Sequence, residues 1–131
     1  MTLEQIEITL PGGFRDARLR RIEVDYVGRT ARVDLIVDAG DPQSDEPGDR
    51  DAWRAAHLVL SDVLFVSVEP PATRPEAYAG EARLAGSAPA TAAQLARLPP
   101  VPAGCFCHAL FAANWNAWMF VAARDARLQW G

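Results

Sequence analysis

Apolar and polar residues alternate along much of the chain, and alternation with a period of two predicts β-strands. Residues 6–10 alternate in this way until Pro11-Gly12-Gly13 ends the run, which predicts a first strand. Residues 21–26 and 31–38 alternate on either side of Gly28-Arg29. Because a two-residue loop joins antiparallel strands tightly, we expect a hairpin here.

A two-residue loop at Gly28-Arg29 would also fix the register of this hairpin. One face is then apolar, and Asp25 lies opposite Arg32 on the other face. Glu23 opposite Asp34 is the one unfavourable pair. The expected apolar pairs are Tyr26 with Ala31, Val24 with Val33, and Ile22 with Leu35.

The middle of the chain alternates between breakers and apolar runs. Residues 39–51 are rich in acids, Gly and Pro, which predicts a long mobile loop. Residues 53–69 leave few polar positions, so we expect a strand covered on both faces, with Ser61-Asp62 marking a bulge or a turn. This gives two short strands or one bent strand. Residues 78–87 predict a weak edge strand, and residues 91–98 a short helix capped by Thr91.

The C-terminal part predicts three strands, over residues 105–112, 116–123 and 126–130, joined by tight turns at Ala113-Asn114 and Arg124-Asp125. Both faces of this meander are apolar, so both need a cover. The pairs expected on one face are Phe106 with Val121, His108 with Met119, Leu110 with Ala117, Val121 with Leu128, and Met119 with Trp130. The other face collects Cys105, Cys107, Ala109, Phe111, Trp118 and Phe120.

These elements predict a mainly β protein. We expect an antiparallel β-sandwich or open barrel of about eight strands, with one short helix near residues 91–98. The 131 residues are 50% hydrophobic, which suffices for one core, so residues 1–131 are interpreted as a single domain.

Charge and hydropathy exclude several classes of function. The formal net charge is -4 and the arginines are not clustered, so we expect no nucleic-acid partner. No apolar run approaches the roughly 20 residues that cross a bilayer, so we expect no membrane segment. Glu4 and Glu7 stand where a secretory signal would be basic, which favours a cytoplasmic location. All 13 basic residues are arginine, a bias typical of GC-rich bacterial coding.

Two histidines and two cysteines, His57, His108, Cys105 and Cys107, equal a Cys2His2 zinc set in number. Their spacing argues against zinc, because His108 on a strand points away from both cysteines. The acidic loop lacks the ligand spacing of a calcium site. We therefore predict free thiols, no metal and no cofactor. The acidic side chains that could supply oxygen ligands to calcium are Asp38, Asp41, Asp45, Glu46, Asp49 and Asp51.

Ser61, Asp62 and His57 supply the residue types of a hydrolytic triad. No Gly-x-Ser-x-Gly motif surrounds Ser61, and a single strand does not converge the three side chains. We therefore expect no catalytic residues there. The PxxP spacing in residues 98–102 is interpreted as a rigid linker.

The aromatic face of the meander, formed by Cys105, Cys107, Phe111, Trp118 and Phe120, is the leading functional candidate. This face is either part of the core or a surface that binds a protein. In the first case, a second sheet or residues 88–104 would cover it. The leading hypothesis is a non-enzymatic protein that self-associates or binds a protein partner through this face. The alternative is a small-ligand-binding or hydrolytic domain with a pocket between sheets near His57 and His108.

The order of these segments resembles small bacterial all-β proteins of uncharacterised families, which include immunity-type proteins encoded beside contact-dependent toxins. The resemblance lies in Phe14-Arg15-Asp16-Ala17 leading into a long hairpin, an apolar strand carrying Ser61-Asp62-Val63, and a C-terminal meander. It carries over no functional residue. It implies a binding role rather than catalysis.

Overall fold

The computed structural model describes residues 1–40, 45–46, 52–71 and 81–131. Within them lie two α-helices, α1 (Leu3–Thr9) and α2 (Ala92–Leu95), and a 3-10 turn over Ala113–Trp115. The prediction of a mainly β protein is confirmed. The strands are β1 (Arg18–Asp25), β2 (Thr30–Asp38), β3 (Trp53–Val68), β4 (Ala82–Pro89), β5 (Phe106–Ala112) and β6 (Ala117–Trp130).

All six described strands belong to one antiparallel sheet whose order closes on itself, β1-β2-β3-β6-β5-β4. Closure rests on a short ladder in which Arg18 pairs with Arg83 and Leu19 with Ala82. The prediction that this strand lies at an edge is therefore wrong, because β4 pairs with β1 on one side and with β5 on the other. Of that predicted strand, residues 78–80 lie outside the described part of the chain.

The N-terminal strand predicted over residues 6–10 is wrong, because this segment forms helix α1. Thr2 caps it: its side chain accepts a hydrogen bond from the amide of Gln5, and the Gln5 side chain accepts one from the amide of Thr2. Leu3, Ile6 and Leu10 are buried at helical spacing, whereas Ile8 is 77% exposed. The helical period of the buried residues prevails over the local alternation.

The β1–β2 hairpin forms, but its register differs from the prediction by two residues. Val24 pairs with Ala31 and Asp25 with Thr30, so the connection has four residues rather than two. The Asp25 carboxylate fixes it by accepting hydrogen bonds from the amides of Val27 and Gly28. This register also removes the expected repulsion between acids. Glu23 now faces Arg32, and Arg21 faces Asp34.

Two long strands and the N-terminal helix take the place of shorter predicted strands, which explains why the structure describes six strands rather than about eight. β3 is a single strand with a register shift between Val63 and Phe65, beside Asp62 at a φ of 51°, so the alternative of one bent strand is confirmed. The turn predicted at Arg124-Asp125 is wrong, because β6 continues through it. β3 holds β6 extended by pairing along its length, from Ala56 with Trp130 to Val68 with Met119.

The predicted pairing of β5 with β6 is also displaced by two residues. His108 pairs with Val121 and Leu110 with Met119, because the connection runs through the 3-10 turn and Asn116 at a φ of 47°. A shift of two residues leaves each side chain on its predicted face. The expected pairs of Val121 with Leu128 and Met119 with Trp130 do not form, since all four residues lie on the same strand.

The core lies inside the closed sheet and beneath α1. Alternate residues of the strands point inward and form one apolar cluster with Leu3, Ile6, Leu10 and Phe14. The cluster includes Val33, Leu35, Leu58, Leu60, Leu84, Leu110, Met119 and Val121.

The helix predicted near residues 91–98 is confirmed as α2, capped by Thr91 and Gln94. Most of the predicted loop over residues 39–51 lies outside the described residues, including Asp41, Asp49 and Asp51. Among the helices that the structure describes, none is long and apolar enough to cross a membrane.

Candidate functional site

Three groups of side chains can carry chemistry or binding: a buried cluster around His108, a surface cluster around His57, and the outer aromatic face. The first joins three elements distant in sequence. Its members are Glu7 on α1, Ser87 on β4 and His108 on β5. Sequence reasoning missed Glu7 and Ser87. The Thr2-x-x-Gln5 capping box was the signal that could have placed Glu7 on a helix.

The buried cluster is a chain of hydrogen bonds. The Ser87 hydroxyl donates to Glu7 Oε2 at 3.0 Å, and Ser87 Oγ lies 2.7 Å from His108 Nε2. Because a hydroxyl has one hydrogen, His108 Nε2 donates to Ser87 in this arrangement. His108 is 2% exposed, so this hydrogen bond is needed to compensate the burial of its ring nitrogen.

Burial alone would raise the pKa of the Glu7 carboxyl, but interactions with His108, the Phe14 amide and Ser87 together hold this pKa below its usual range. The Phe14 amide donates to Glu7 Oε1 at 3.2 Å. The charged carboxylate thus links α1 to the sheet. The loop that follows α1 passes close to this side chain, because a Cβ on Gly13 would lie 3.1 Å from Glu7.

This geometry differs from that of a hydrolytic triad. In a triad the nucleophile and the carboxylate bind opposite ring nitrogens of the histidine, so that the acid orients the base. Here Ser87 lies 2.7 Å from Nε2 and the Glu7 carboxylate lies 3.6 Å from the same atom. The geometry of this cluster is that of a structural hydrogen-bond network rather than of a catalytic site.

The second cluster lies on the outer face of β2 and β3. His57 Nδ1 is 2.8 Å from Asp34 Oδ1, and the Arg32 Nε donates to the same oxygen at 2.8 Å. Hydrogen bonding by Arg32 lowers the pKa of the Asp34 carboxyl, burial opposes this, and His57 lowers it further. The Arg32 guanidinium also lies 3.2 Å from both ring nitrogens of His57. The polar atoms of Arg32, Asp34 and His57 are therefore engaged with one another.

The residues considered for a triad are not brought together. His57 and Ser61 are four positions apart on β3, a separation of about 13 Å along an extended strand. Asp62 turns toward Arg124, with 3.9 Å between its Oδ2 and Nε. His57 points outward and His108 inward, so the two histidines lie on opposite faces of the sheet. This placement gives no support to a pocket that both would line.

Both cysteines are free thiols, as predicted. Cys107 lies on the outer side of β5, and burial raises the pKa of its thiol. Cys105 precedes β5 and lines a separate depression with Arg29 and Asp62. Within the described part of the chain, no three His, Cys, Asp or Glu residues converge on a common point that could hold a metal ion.

The third group is the outer aromatic face, which we define by Cys107, Phe111, Trp118 and Phe120. The Phe111 and Trp118 ring centroids are 4.9 Å apart, and those of Trp118 and Phe120 are 6.2 Å apart in a stacked arrangement. Phe120 is buried, while Phe111 and Trp118 are half-buried. Phe111, Trp118 and Phe120 thus share one face, as the alternation predicts, whereas Cys105, which was assigned to the same face, precedes β5.

Residues near α2 partly cover this face. Leu98 and Gln94 line a pocket of about 310 Å³ together with Trp118 and Phe120, and Ser67, Glu69 and Arg97 complete its wall. Glu69 follows β3 and accepts a hydrogen bond from the Trp118 amide at 2.6 Å. The outer aromatic face is therefore neither fully core nor fully open. Its accessible part centres on Phe111, Trp118 and the pocket beside them.

Comparison of the chain with protein-family models, with curated proteins and with solved structures finds no match.

Proposed function

We propose that the protein is a non-enzymatic binding domain that contacts another protein through the outer aromatic face. The observation that carries the proposal is the contiguous cluster of the Phe111, Trp118 and Phe120 rings, part of which stays accessible on the outside of the sheet. Aromatic residues, tryptophan above all, are enriched at the centres of protein interfaces. A partly covered cluster of aromatic rings supplies such a centre.

The polar clusters support a binding role over catalysis. Glu7, Ser87 and His108 use their polar atoms on one another, and so do Arg32, Asp34 and His57. A catalytic base needs reach to a substrate proton, whereas His108 is enclosed in the sheet. The resemblance to immunity-type proteins points in the same direction and makes a toxin-like protein one kind of partner.

Selection from a library of random peptides displayed on phage tests this proposal, because it requires no named partner. We expect the enriched peptides to bind the wild-type chain and to lose binding when Trp118→Asp places a carboxylate among these aromatic rings. The matched control is Tyr26→Asp, which makes the same kind of change at a tyrosine that is 87% exposed on the hairpin connection.

Circular dichroism and thermal unfolding of both variants report whether each one folds. Where Trp118→Asp does not fold, Phe111→Ser replaces it as the test variant at the same face. Peptides that bind the folded face variant as well as wild type, or that lose binding only with Tyr26→Asp, would contradict the proposal.

A further inference from the structure

Among the residues that the structure describes, the pocket beside the outer aromatic face is lined by one basic and one acidic side chain. Arg97, just after α2, and Glu69, just after β3, both line the pocket beside Trp118. The Arg97 side chain is exposed and forms no ion pair with the residues that the structure describes. Glu69 uses one carboxylate oxygen on the Trp118 amide, so its second oxygen can accept from another group.

This charge pattern complements itself. The chain has a net charge of -4, so two copies repel each other unless the contact brings opposite charges together. A two-fold axis that lies in the plane of contact and passes between Arg97 and Glu69 brings Arg97 of each copy opposite Glu69 of the other. The uncharged rings then meet in the centre, and two ion pairs form on the rim.

We infer that the occupant of the outer aromatic face is a second copy of this chain, held by Trp118 at the centre and by two reciprocal pairs of Arg97 with Glu69. The inference rests on the proposed function and names its partner. It also gives a partner to the Arg97 guanidinium, which pairs with no acid in the described part of a single copy.

Charge exchange tests the inference. Sedimentation velocity should show a wild-type dimer that dissociates on dilution. Arg97→Glu and Glu69→Arg each put two like-charge pairs on the rim, and each should raise the dissociation constant about tenfold or more. An equimolar mixture of the two variants should regain the dimer, because a mixed pair has opposite charges at both contacts.

Two controls separate charge from local structure. Glu69→Gln keeps an oxygen for the Trp118 amide and removes only the charge, so it should weaken the dimer less than Glu69→Arg. Arg127→Glu changes an exposed arginine elsewhere on β6 and should leave the dimer unchanged. Recovery in the mixture also shows that neither single variant has simply failed to fold.

A wild-type chain that remains a monomer at every concentration would overturn the inference, and so would a mixture that stays monomeric. If the chain is a monomer while the selected peptides still require Trp118, the second copy is ruled out and the proposed function stands. If the peptides also ignore Trp118 and Phe111, the proposed function fails as well.

Discussion

The Nε2 atom of His108 lies 2.7 Å from the hydroxyl oxygen of Ser87, on the side of the ring that faces helix α1. Ser87 in turn donates to Glu7, so one serine joins a buried ring on β5 to a carboxylate on the N-terminal helix. The contact spans three elements and 80 residues of sequence between Ser87 and Glu7.

Removal of the bridging hydroxyl should destabilise the protein. Ser87→Ala leaves a buried ring nitrogen of His108 without its hydrogen-bond partner, which costs about 1–3 kcal/mol of the free energy of unfolding. Urea denaturation measures this loss in the free energy of unfolding. Ser61→Ala on β3 is the matched control and should change this free energy by less, because Ser61 is less buried than the His108 ring. Equal losses in the two variants would mean that the bridge contributes nothing of its own.

The contribution of Glu7 should depend on pH. Its pKa is lowered in the folded protein, so its charged form adds stability at pH values above the pKa of the unfolded state, and this stability is lost as the pH falls through the folded pKa. Wild type should be more stable than Glu7→Gln at neutral pH, and the difference should shrink in acid. Chemical denaturation of both proteins at a series of pH values provides the comparison. A difference that grows on acidification would contradict the lowered pKa.

The surface cluster of Arg32, Asp34 and His57 should contribute much less to stability than the buried cluster around His108. Asp34→Asn breaks contacts with Arg32, whose side chain is 50% exposed, and with the partly buried His57, and ion pairs near the surface contribute at most about 1 kcal/mol. Thermal unfolding at low and high salt measures the effect, which should diminish as salt screens the charges. A loss comparable to that of Glu7→Gln, or one insensitive to salt, would show that burial rather than surface charge dominates there.

Helix α1 makes Ile6 and Ile8 unequal, whereas a strand would place them on the same face. Ile6 is 2% exposed and Ile8 is 77% exposed. Ile6→Ala should cost about 2–5 kcal/mol of the free energy of unfolding, because it leaves a cavity in the core. Ile8→Ala should leave stability nearly unchanged. Guanidinium denaturation of both variants distinguishes the two structures, and similar losses at both positions would favour the strand.

The alternation of apolar and polar residues predicts where most of the strands lie and which residues share a strand face. The alternation over residues 31–38 and 105–112 survives in β2 and β5, and residues predicted to share one face of a strand do so even where the register differs. Registers failed because they depend on turn geometry. Asp25 lengthens one connection, and Asn116 in a left-handed conformation lengthens the other.

Contacts between distant parts of the chain produce the N-terminal helix, the length of β6 and the buried polar cluster. Residues 6–10 alternate like a strand, yet the core favours the helical spacing of Leu3, Ile6 and Leu10. β6 passes straight through the turn predicted at residues 124–125 because β3 pairs with it along its length. The bond between Ser87 and His108 has no local signal, since it depends on how distant strands pair inside a closed sheet.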